Sequence, residues 1–378
     1  MDLTQLRNEL DTIDNEIVEL FKRRMDTVRM VSESKKTTGK AVKDRKRERE
    51  ILSRVTDLSG PELESYTKVL FTTLMTLSRS YQHSLKDSGE SDRQISLMME
   101  NTPPIFPKKA VVACQGIEGA YSQQACDKLF SLPSIMYFPD FNSVFSAVEK
   151  GLCRYGVLPI ENSTHGSVYE TYDLMRRHSF YIVRSMRLKI DHALLTKPGV
   201  KLSDIKTIIS HPQALGQCND FICSLPGVAA QPVSNTAVAA RMVARGDDPT
   251  VACLSSRCCA DTYGLEAHDV KVSNSDSNYT RFICIARKPE IYPGADRVSF
   301  MINLPHEPGS LFSLLSRFAA LDINVRKIES RPIPGSDFDF TFYFDMEGNM
   351  VSPEVRRLIS QLSEDIPSFT FLGSYSES

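Results

Sequence analysis

The chain has 378 residues, a formal net charge of −2 and 41% hydrophobic side chains. That predicts two to three domains with ample buried core and excludes a global electrostatic case for nucleic acid or an acidic surface as partner. No run of about 18 apolar residues occurs, and the N-terminus is amphipathic and acidic rather than signal-like, so the sequence predicts a cytoplasmic protein with no membrane contact. The 9 cysteines are odd in number, form no C-x-x-C pair and include the adjacent Cys258 and Cys259, which argues against a disulfide framework or a metal site. All lie between Cys114 and Cys284, which marks out a middle domain of its own composition.

Residues 1–85 read as three helices. Leu3, Leu6, Leu10, Ile13, Ile17 and Leu20 recur at spacings of three and four, the apolar stripe of one helix. Neither Pro nor Gly interrupts before Gly39, so the helix can run for roughly 50 Å at 1.5 Å per residue. A helix of that length cannot bury its stripe within its own small domain, and an intertwined dimer resolves the conflict. Arg24 and Lys35 fall on the same face as Leu10 and Ile17, with Arg7 at its edge. The second helix repeats the pattern, with Asp44, Arg47 and Glu48 extending the stripe of Ile51, Val55 and Leu58. In the third, Phe71, Leu74 and Met75 give way to Ser78 and Gln82. Positive charge on a core face is costly unless paired, so these ends predict a polar pocket for a small dianion. The competing reading, a solvated or nucleic-acid-binding basic run from Lys22 to Arg49, is weakened because the charges share the apolar face and no aromatic interleaves them.

Residues 86–108 read as a linker. Strands are predicted at Ala110–Cys114, Tyr155–Ile160, His192–Thr196, Thr207–Ser210, Val251–Leu254 and Phe282–Ala286, alternating with helices, so residues 109–288 are α/β. The turn Gly116-Ile-Glu-Gly-Ala-Tyr-Ser122 leads into a helix whose first amides can bind an anion. The strand from Tyr155 ends in Pro159-Ile-Glu-Asn-Ser-Thr-His-Gly-Ser-Val168, which delivers Glu161, Asn162, Ser163 and Thr164 to the carboxyl edge of a sheet, where such folds place ligands. Ser210-His-Pro-Gln-Ala-Leu-Gly-Gln-Cys218 and Asn278-Tyr-Thr-Arg-Phe282 have the same design. From 297 to 378 the order strand, helix, two strands, helix, strand is ferredoxin-like α+β.

Taken in order, Gly-x-x-Gly-x-Tyr-Ser, Pro-Ile-Glu-Asn-Ser, Ser-His-Pro-Gln-Ala-Leu-x-Gln-Cys and Asn-x-Thr-Arg-Phe resemble the signature set of the prephenate dehydratases. The one departure is Asn235, where that family more often has Ser; either residue caps a helix. The resemblance implies two lobes around a cleft, like periplasmic binding proteins, and Thr280 as the donor to the leaving ring hydroxyl. On chemistry alone a Thr hydroxyl is a weak acid, and Glu161 with a raised pKa is the alternative. Asn162, Ser163, Ser210 and Gln217 would hold the substrate, and Arg281 would balance its charge.

The helical segment is similar to the all-helical chorismate mutases. That similarity implies a site lined by Arg7, Arg24, Lys35 and Arg47 and completed by Asp44, Glu48, Ser78 and Gln82, with Arg7 reaching the other chain. Lys35 and Gln82 would donate to the breaking ether oxygen, and Glu48 would accept from the ring hydroxyl. In the last segment Gly309-Ser310-Leu311 and Glu329-Ser330-Arg331-Pro332 resemble the phenylalanine-binding motifs of ACT regulatory domains. The combined implication is a multidomain, bifunctional enzyme without cofactor or metal. It would turn chorismate into prephenate and prephenate into phenylpyruvate, answer to L-phenylalanine, and form a homodimer or a tetramer of two dimers. The alternatives are a prephenate or arogenate dehydratase whose helices only dimerise, and a binding protein without turnover.

Overall fold

The computed structural model describes residues 2–38, 44–85, 90–335 and 339–378. They form two compact units, Met1–Leu97 with Met301–Thr370, and Met98–Phe300 with Phe371–Ser378. No helix among the described residues is long and apolar enough to cross a membrane.

In the first unit the helix Leu3–Thr38 runs 36 residues without a break. The second helix, Arg45–Ser84, starts at Asp44, whose carboxylate accepts from the Arg47 amide at 3.0 Å. It contains Gly60 at φ 74°, ψ 167°, followed by Pro61, so two helical rods meet there. This matches the expected three helices, because Pro61 can start a rod but cannot continue one. The predicted linker is not wholly irregular. Glu90–Glu100 is a helix that buries Ile95, and Arg356 reaches from the helix Pro353–Asp365 to Ser96 Oγ at 3.0 Å and Asp92 at 3.5 Å. Tertiary contact stabilises an 11-residue segment that is too short to be helical alone.

The strand-helix-strand-strand-helix-strand order of the last segment is observed: Arg297–Asn303, Ser310–Ala319, Val325–Pro332, Phe340–Glu347, Pro353–Asp365 and Thr370–Tyr375. The sheet order is Val325–Pro332, Phe340–Glu347, Arg297–Asn303, Thr370–Tyr375. Its two helices pack on Arg45–Ser84: Thr76 and Ser313 hydroxyls lie 3.1 Å apart, and Gln361 Nε2 donates to the Ser80 carbonyl at 3.1 Å. Asp365 meets Arg317 at 2.8 Å and His83 at 3.3 Å. Burial pushes the Asp365 carboxyl up, but His83 and Arg317 outweigh it and hold the pKa at about 2.

The second unit holds two sheets. The first has the order Leu132–Phe138, Lys109–Gln115, Tyr155–Asn162, Tyr279–Ala286, Tyr181–Lys189, with Tyr279–Ala286 antiparallel to both neighbours. The second has the order Glu266–Ala267, His192–Thr196, Val251–Ser256, Thr207–Ser210, Ala229–Pro232. The chain crosses between the sheets after Lys189 and returns before Tyr279, which makes two lobes. As predicted, Tyr155, Val157 and Leu158 are fully buried. Gly156 is required there, since a Cβ would lie 2.9 Å from Val148 Cγ2 and 3.1 Å from Ile285. Leu132–Phe138, Tyr181–Lys189 and Ala229–Pro232 are strands that the sequence reading passed over, two of them with exposed or alternating faces that carry little apolar signal.

Candidate active sites

Within the first unit, burial lowers the Arg24 pKa. Its guanidinium donates to Ser78 Oγ and to the Leu74 carbonyl, the latter at 3.2 Å. Glu48 pairs with Arg79, a residue the sequence reading did not single out, and Arg79 also donates to Thr76 Oγ1 at 3.0 Å. Gln82 is buried, Lys35 half-buried. Arg24, Glu48, Ser78 and Gln82 thus lie on neighbouring turns of packed helices, as anticipated. Arg7 and Arg47 are exposed, Arg47 pairing with Glu50 at 3.4 Å, and Asp44 serves as a helix cap. Seventeen residues of helix separate Arg7 from Arg24, about 26 Å of rise, so the two do not share a pocket within one chain.

The second unit contains a cavity of about 490 Å³ between its lobes, lined by Asn162, Gln217 and Thr280 together with Tyr121, His192 and His211. A contiguous hydrogen-bond network holds these groups. Asn162 Oδ1 accepts from the Thr164 amide at 3.0 Å, the His165 amide at 3.1 Å and Thr164 Oγ1 at 2.7 Å. Backbone amides only donate, so this atom is the oxygen and the amide orientation is determined. Asn162 Nδ2 therefore donates to Thr280 Oγ1 and to Asn278 Oδ1, both at 2.9 Å. Asn278 Nδ2 donates to Gln217 Oε1 at 3.0 Å, and so does His192 Nε2, also at 3.0 Å. His192 Nδ1 lies 3.1 Å from the Tyr121 hydroxyl. Burial lowers the His192 pKa, and the orientation of Asn278 and Gln217 puts a proton on Nε2.

Four expected residues stand elsewhere. Glu161 and Arg281 are register partners one step from the pair Asn162 and Thr280, and alternation along a strand turns them to the opposite face of the sheet. Ser210 is fully buried and donates to the Leu254 carbonyl at 2.6 Å, so it braces the adjoining strand. Ser163 Oγ donates to the Ser277 carbonyl and accepts from the Tyr279 amide, both at 2.9 Å, pinning the return crossing. None of the four lines the cavity. Asn278, His192 and Tyr121 join the expected residues; Asn278 and Tyr121 belong to the sequence motifs, but His192 sits in an ordinary apolar strand with nothing local to mark it.

The cavity lining, among the described residues, includes no Lys or Arg and two carboxylates, Asp140 and Glu170. What it has instead are helix N-termini. Tyr121–Leu129, Phe141–Glu149 and Thr236–Arg245 all begin at its wall. Asp140 caps the second by accepting from the Ser143 amide at 2.7 Å, and Asn235 caps the third through the Ala237 amide at 2.8 Å. No side chain caps the first, which starts at Ala120. Its first amides provide the partial positive charge that an anion requires. Burial followed by proximity to Asp140 raises the Glu170 pKa.

Another cavity, about 330 Å³, lies in the first unit against Glu307, Ser310, Leu311, Phe340 and Phe342. Gly309, at φ 86°, caps the helix Ser310–Ala319. Ser330 is the register partner of Phe342 and shares its face, whereas Glu329 and Arg331 pair with Tyr343 and Thr341 on the other. The anticipated motif is therefore split between the two faces of the sheet.

A two-lobed α/β cleft with helix starts at its wall and a hydroxyl among its lining residues has the form of a small-molecule site, here preceded by a helical unit. The prephenate dehydratase family matches residues 112–290 and the chorismate mutase type II family residues 6–83. The chain is 37% identical over 276 residues to an arogenate dehydratase/prephenate dehydratase of Arabidopsis thaliana, covering 70% of this chain and 72% of that one. It is 29% identical over 381 residues to the bifunctional chorismate mutase/prephenate dehydratase of Escherichia coli, covering 99% and 96%. A solved prephenate dehydratase from Arthrobacter aurescens, in complex with L-Phe, superposes with a TM-score of 0.65 at 29% identity, covering 70% of this chain and 89% of that one. The chain belongs to the prephenate dehydratase family and carries a type II chorismate mutase domain ahead of it. It thus has both enzymatic domains of a bifunctional enzyme, an isomerase and a carbon–oxygen lyase.

Proposed function

We propose that Thr280 is the proton donor of the dehydratase. Prephenate loses carbon dioxide and its ring hydroxyl, and the ring becomes aromatic; the bond to the hydroxyl breaks as a proton reaches that oxygen, so water leaves. The observation that carries this reading is the polarity of the network. Asn162 Nδ2 donates to Thr280 Oγ1, so the threonine must direct its own proton to another acceptor, and the residue lines the cavity. Glu161, the alternative donor, belongs to the opposite face. The substrate carboxylates would lie against the amides at the start of Tyr121–Leu129 and its neighbours, with Gln217 and Asn162 as further donors. Thr280→Val and Glu161→Gln separate the two assignments. The first should lose turnover of prephenate and the second keep it, and the reverse pattern would make Glu161 the donor.

Asp140 and Glu170 beside a cavity lined, among the described residues, by no Lys or Arg favour a second reading, in which arogenate is also dehydrated. Arogenate carries an ammonium where prephenate carries a ketone, and an acidic wall suits it. Measuring kcat/KM on both substrates with Glu170→Gln decides this: the variant should lose more on arogenate than on prephenate.

For the mutase, Arg24, Lys35 and Arg47 would clamp the chorismate carboxylates and ether oxygen, with Gln82 as a second donor to the oxygen and Glu48 accepting from the ring hydroxyl. The stripe Leu3, Leu10, Ile17 and Leu20 remains 56% to 61% exposed in a single chain, which supports a homodimer whose partner supplies Arg7. Phenylalanine would seat its ring in the 330 Å³ cavity between Leu311 and Phe342, with its carboxylate at the amides that follow Gly309. Gly309→Ala should weaken inhibition of the dehydratase. An added methyl meets nothing within 4 Å, so the effect would come from the left-handed φ of 86°. Competition between phenylalanine and prephenate in that variant would place the inhibitor in the cleft instead.

A further inference from the structure

The strand Tyr181–Lys189 is the last of its sheet, yet its outer edge is occupied. Ser185 bridges in parallel to Glu377. The Ser185 amide donates to the Ser376 carbonyl at 3.0 Å, the Ser378 amide to the Ser185 carbonyl at 3.0 Å, and the Arg187 amide to the Ser378 carbonyl at 3.1 Å. Approach to this edge begins at Gly373, at φ 146°, where a Cβ would fall 2.1 Å from the Ile182 carbonyl oxygen. A seam this tight, made of backbone against backbone, holds the segment after Tyr375 against the edge by a single β-bridge.

Along the sheet, Glu161, Arg281 and Arg187 form one register row, and Asn162, Thr280 and Leu188 the next. The first row places two arginines directly opposite each other, an arrangement that destabilises a sheet. Glu377 resolves it. One carboxylate oxygen meets Arg281 Nε at 2.8 Å and the other meets Arg187 Nε at 3.1 Å. The Arg281 and Glu377 side chains are only 12% and 13% exposed, so the pair is poorly screened. The Tyr375 hydroxyl also accepts from Arg281 Nη2 at 3.3 Å and lies 2.7 Å from Ser299 Oγ. The register between Tyr279–Ala286 and Tyr155–Asn162 shifts between Arg281 and Phe282. A bulge of this kind re-aims neighbouring side chains and weakens the ladder that would otherwise hold them, and it comes directly after Arg281, one residue past Thr280.

We infer that Glu377 is a positioning residue for the dehydratase: by tying Arg281 to Arg187 across the back of the sheet, it fixes the strand at the bulge and so the aim of the Thr280 hydroxyl. This rests on Thr280 as proton donor. A displacement of about 1 Å in a reacting group costs up to about 100-fold in rate, and a largely buried guanidinium that loses the Glu377 carboxylate repels its like-charged neighbour Arg187 and shifts the strand.

The test uses the full chain and steady-state turnover of prephenate. Glu377→Gln should lower kcat about 10-fold while KM stays within about twofold, the signature of an interaction made in the transition state alone. Glu377→Asp, which keeps the charge, should stay within about threefold of wild type. Arg281→Gln should resemble Glu377→Gln, and the double variant should lose no more than the worse single, because both act through one contact. Mutase turnover in every variant should remain near wild type and so report that the protein is folded. A kcat for Glu377→Gln within twofold of wild type overturns the inference, as does multiplication of the two single losses in the double variant. If Thr280→Val is itself near wild type, the donor assignment has failed, and Glu377 is judged on the Arg281 cycle alone. If Thr280→Val is slow, Glu377→Gln should add no further loss in that background.

Discussion

The helical pocket and the cleft serve substrates of the same charge by different means. In the helices, Glu48 and Arg79 pair as ions and Arg24 brings a partly buried guanidinium held by Ser78 and the Leu74 carbonyl, whereas the described lining of the cleft has no Lys or Arg and includes residues at helix starts. The difference follows the chemistry. A pericyclic rearrangement needs an extended dianion held in one shape and charge stabilised at one oxygen, which flexible cations on helices can do. An elimination needs a neutral donor held in one direction, and a neutral network such as Tyr121, His192, Gln217, Asn278, Asn162 and Thr280 specifies direction better than charge does. Arg7 lies exposed and far along the helix from Arg24, so under the proposed function the helical pocket needs a second chain, while the cleft lies within a single unit.

The largest expected effect sharpens this contrast on the cleft side. Thr280→Val should reduce dehydratase kcat by about 1,000-fold with little change in KM, leaving mutase turnover intact, as single-turnover and steady-state assays on one preparation would show. Next, Leu10→Asp with Ile17→Asp should break the exposed stripe. Removing the partner's share of the pocket should then cost the mutase about 100- to 1,000-fold, while the dehydratase persists; a mutase unaffected by chain dissociation would erase the difference between the sites. Lys35→Ala should cut the mutase about 100-fold through loss of one transition-state donor; equal loss in both activities of a folded variant would deny them independence.

The smallest effect concerns the support under the helices. Asp365, with a pKa of about 2 against an ordinary 3.8, is depressed on folding. Its stabilisation is therefore full above about pH 4 and is lost as pH falls through about 2. Asp365→Asn should cost about 2 kcal/mol in urea unfolding at pH 6, and the penalty should shrink towards pH 2. A penalty independent of pH would assign the loss to packing.

Both sites were legible in the sequence to different depths. In the helices, periodicity alone put Arg24, Ser78 and Gln82 on the buried side, because a helical repeat maps spacing onto a face without reference to the rest of the fold. In the cleft, the motifs located Asn162, Gln217 and Thr280 but could not separate them from Glu161, Ser163, Ser210 and Arg281. On a strand the face is decided by the phase of alternation, which puts Asn162 and Thr280 on one face and their neighbours Glu161 and Arg281 on the other, and a short motif does not say which face meets the cavity. Arg79, as the partner of Glu48, was hidden for a related reason, since its role depends on which turn of one helix meets which turn of the other.

What the sequence determined by itself was the order of domains, the helical stripe and its charges, and the polar motifs at strand ends, all set by interactions between residues close along the chain. Tertiary structure alone decided that several helix starts converge on one cavity, that His192 and Asn278 complete the network around Thr280, and that Glu377 lies against Arg281, 96 positions away. Those placements arise from strand pairing and lobe packing, where contact energy depends on distance in space, and no local pattern of residues encodes it.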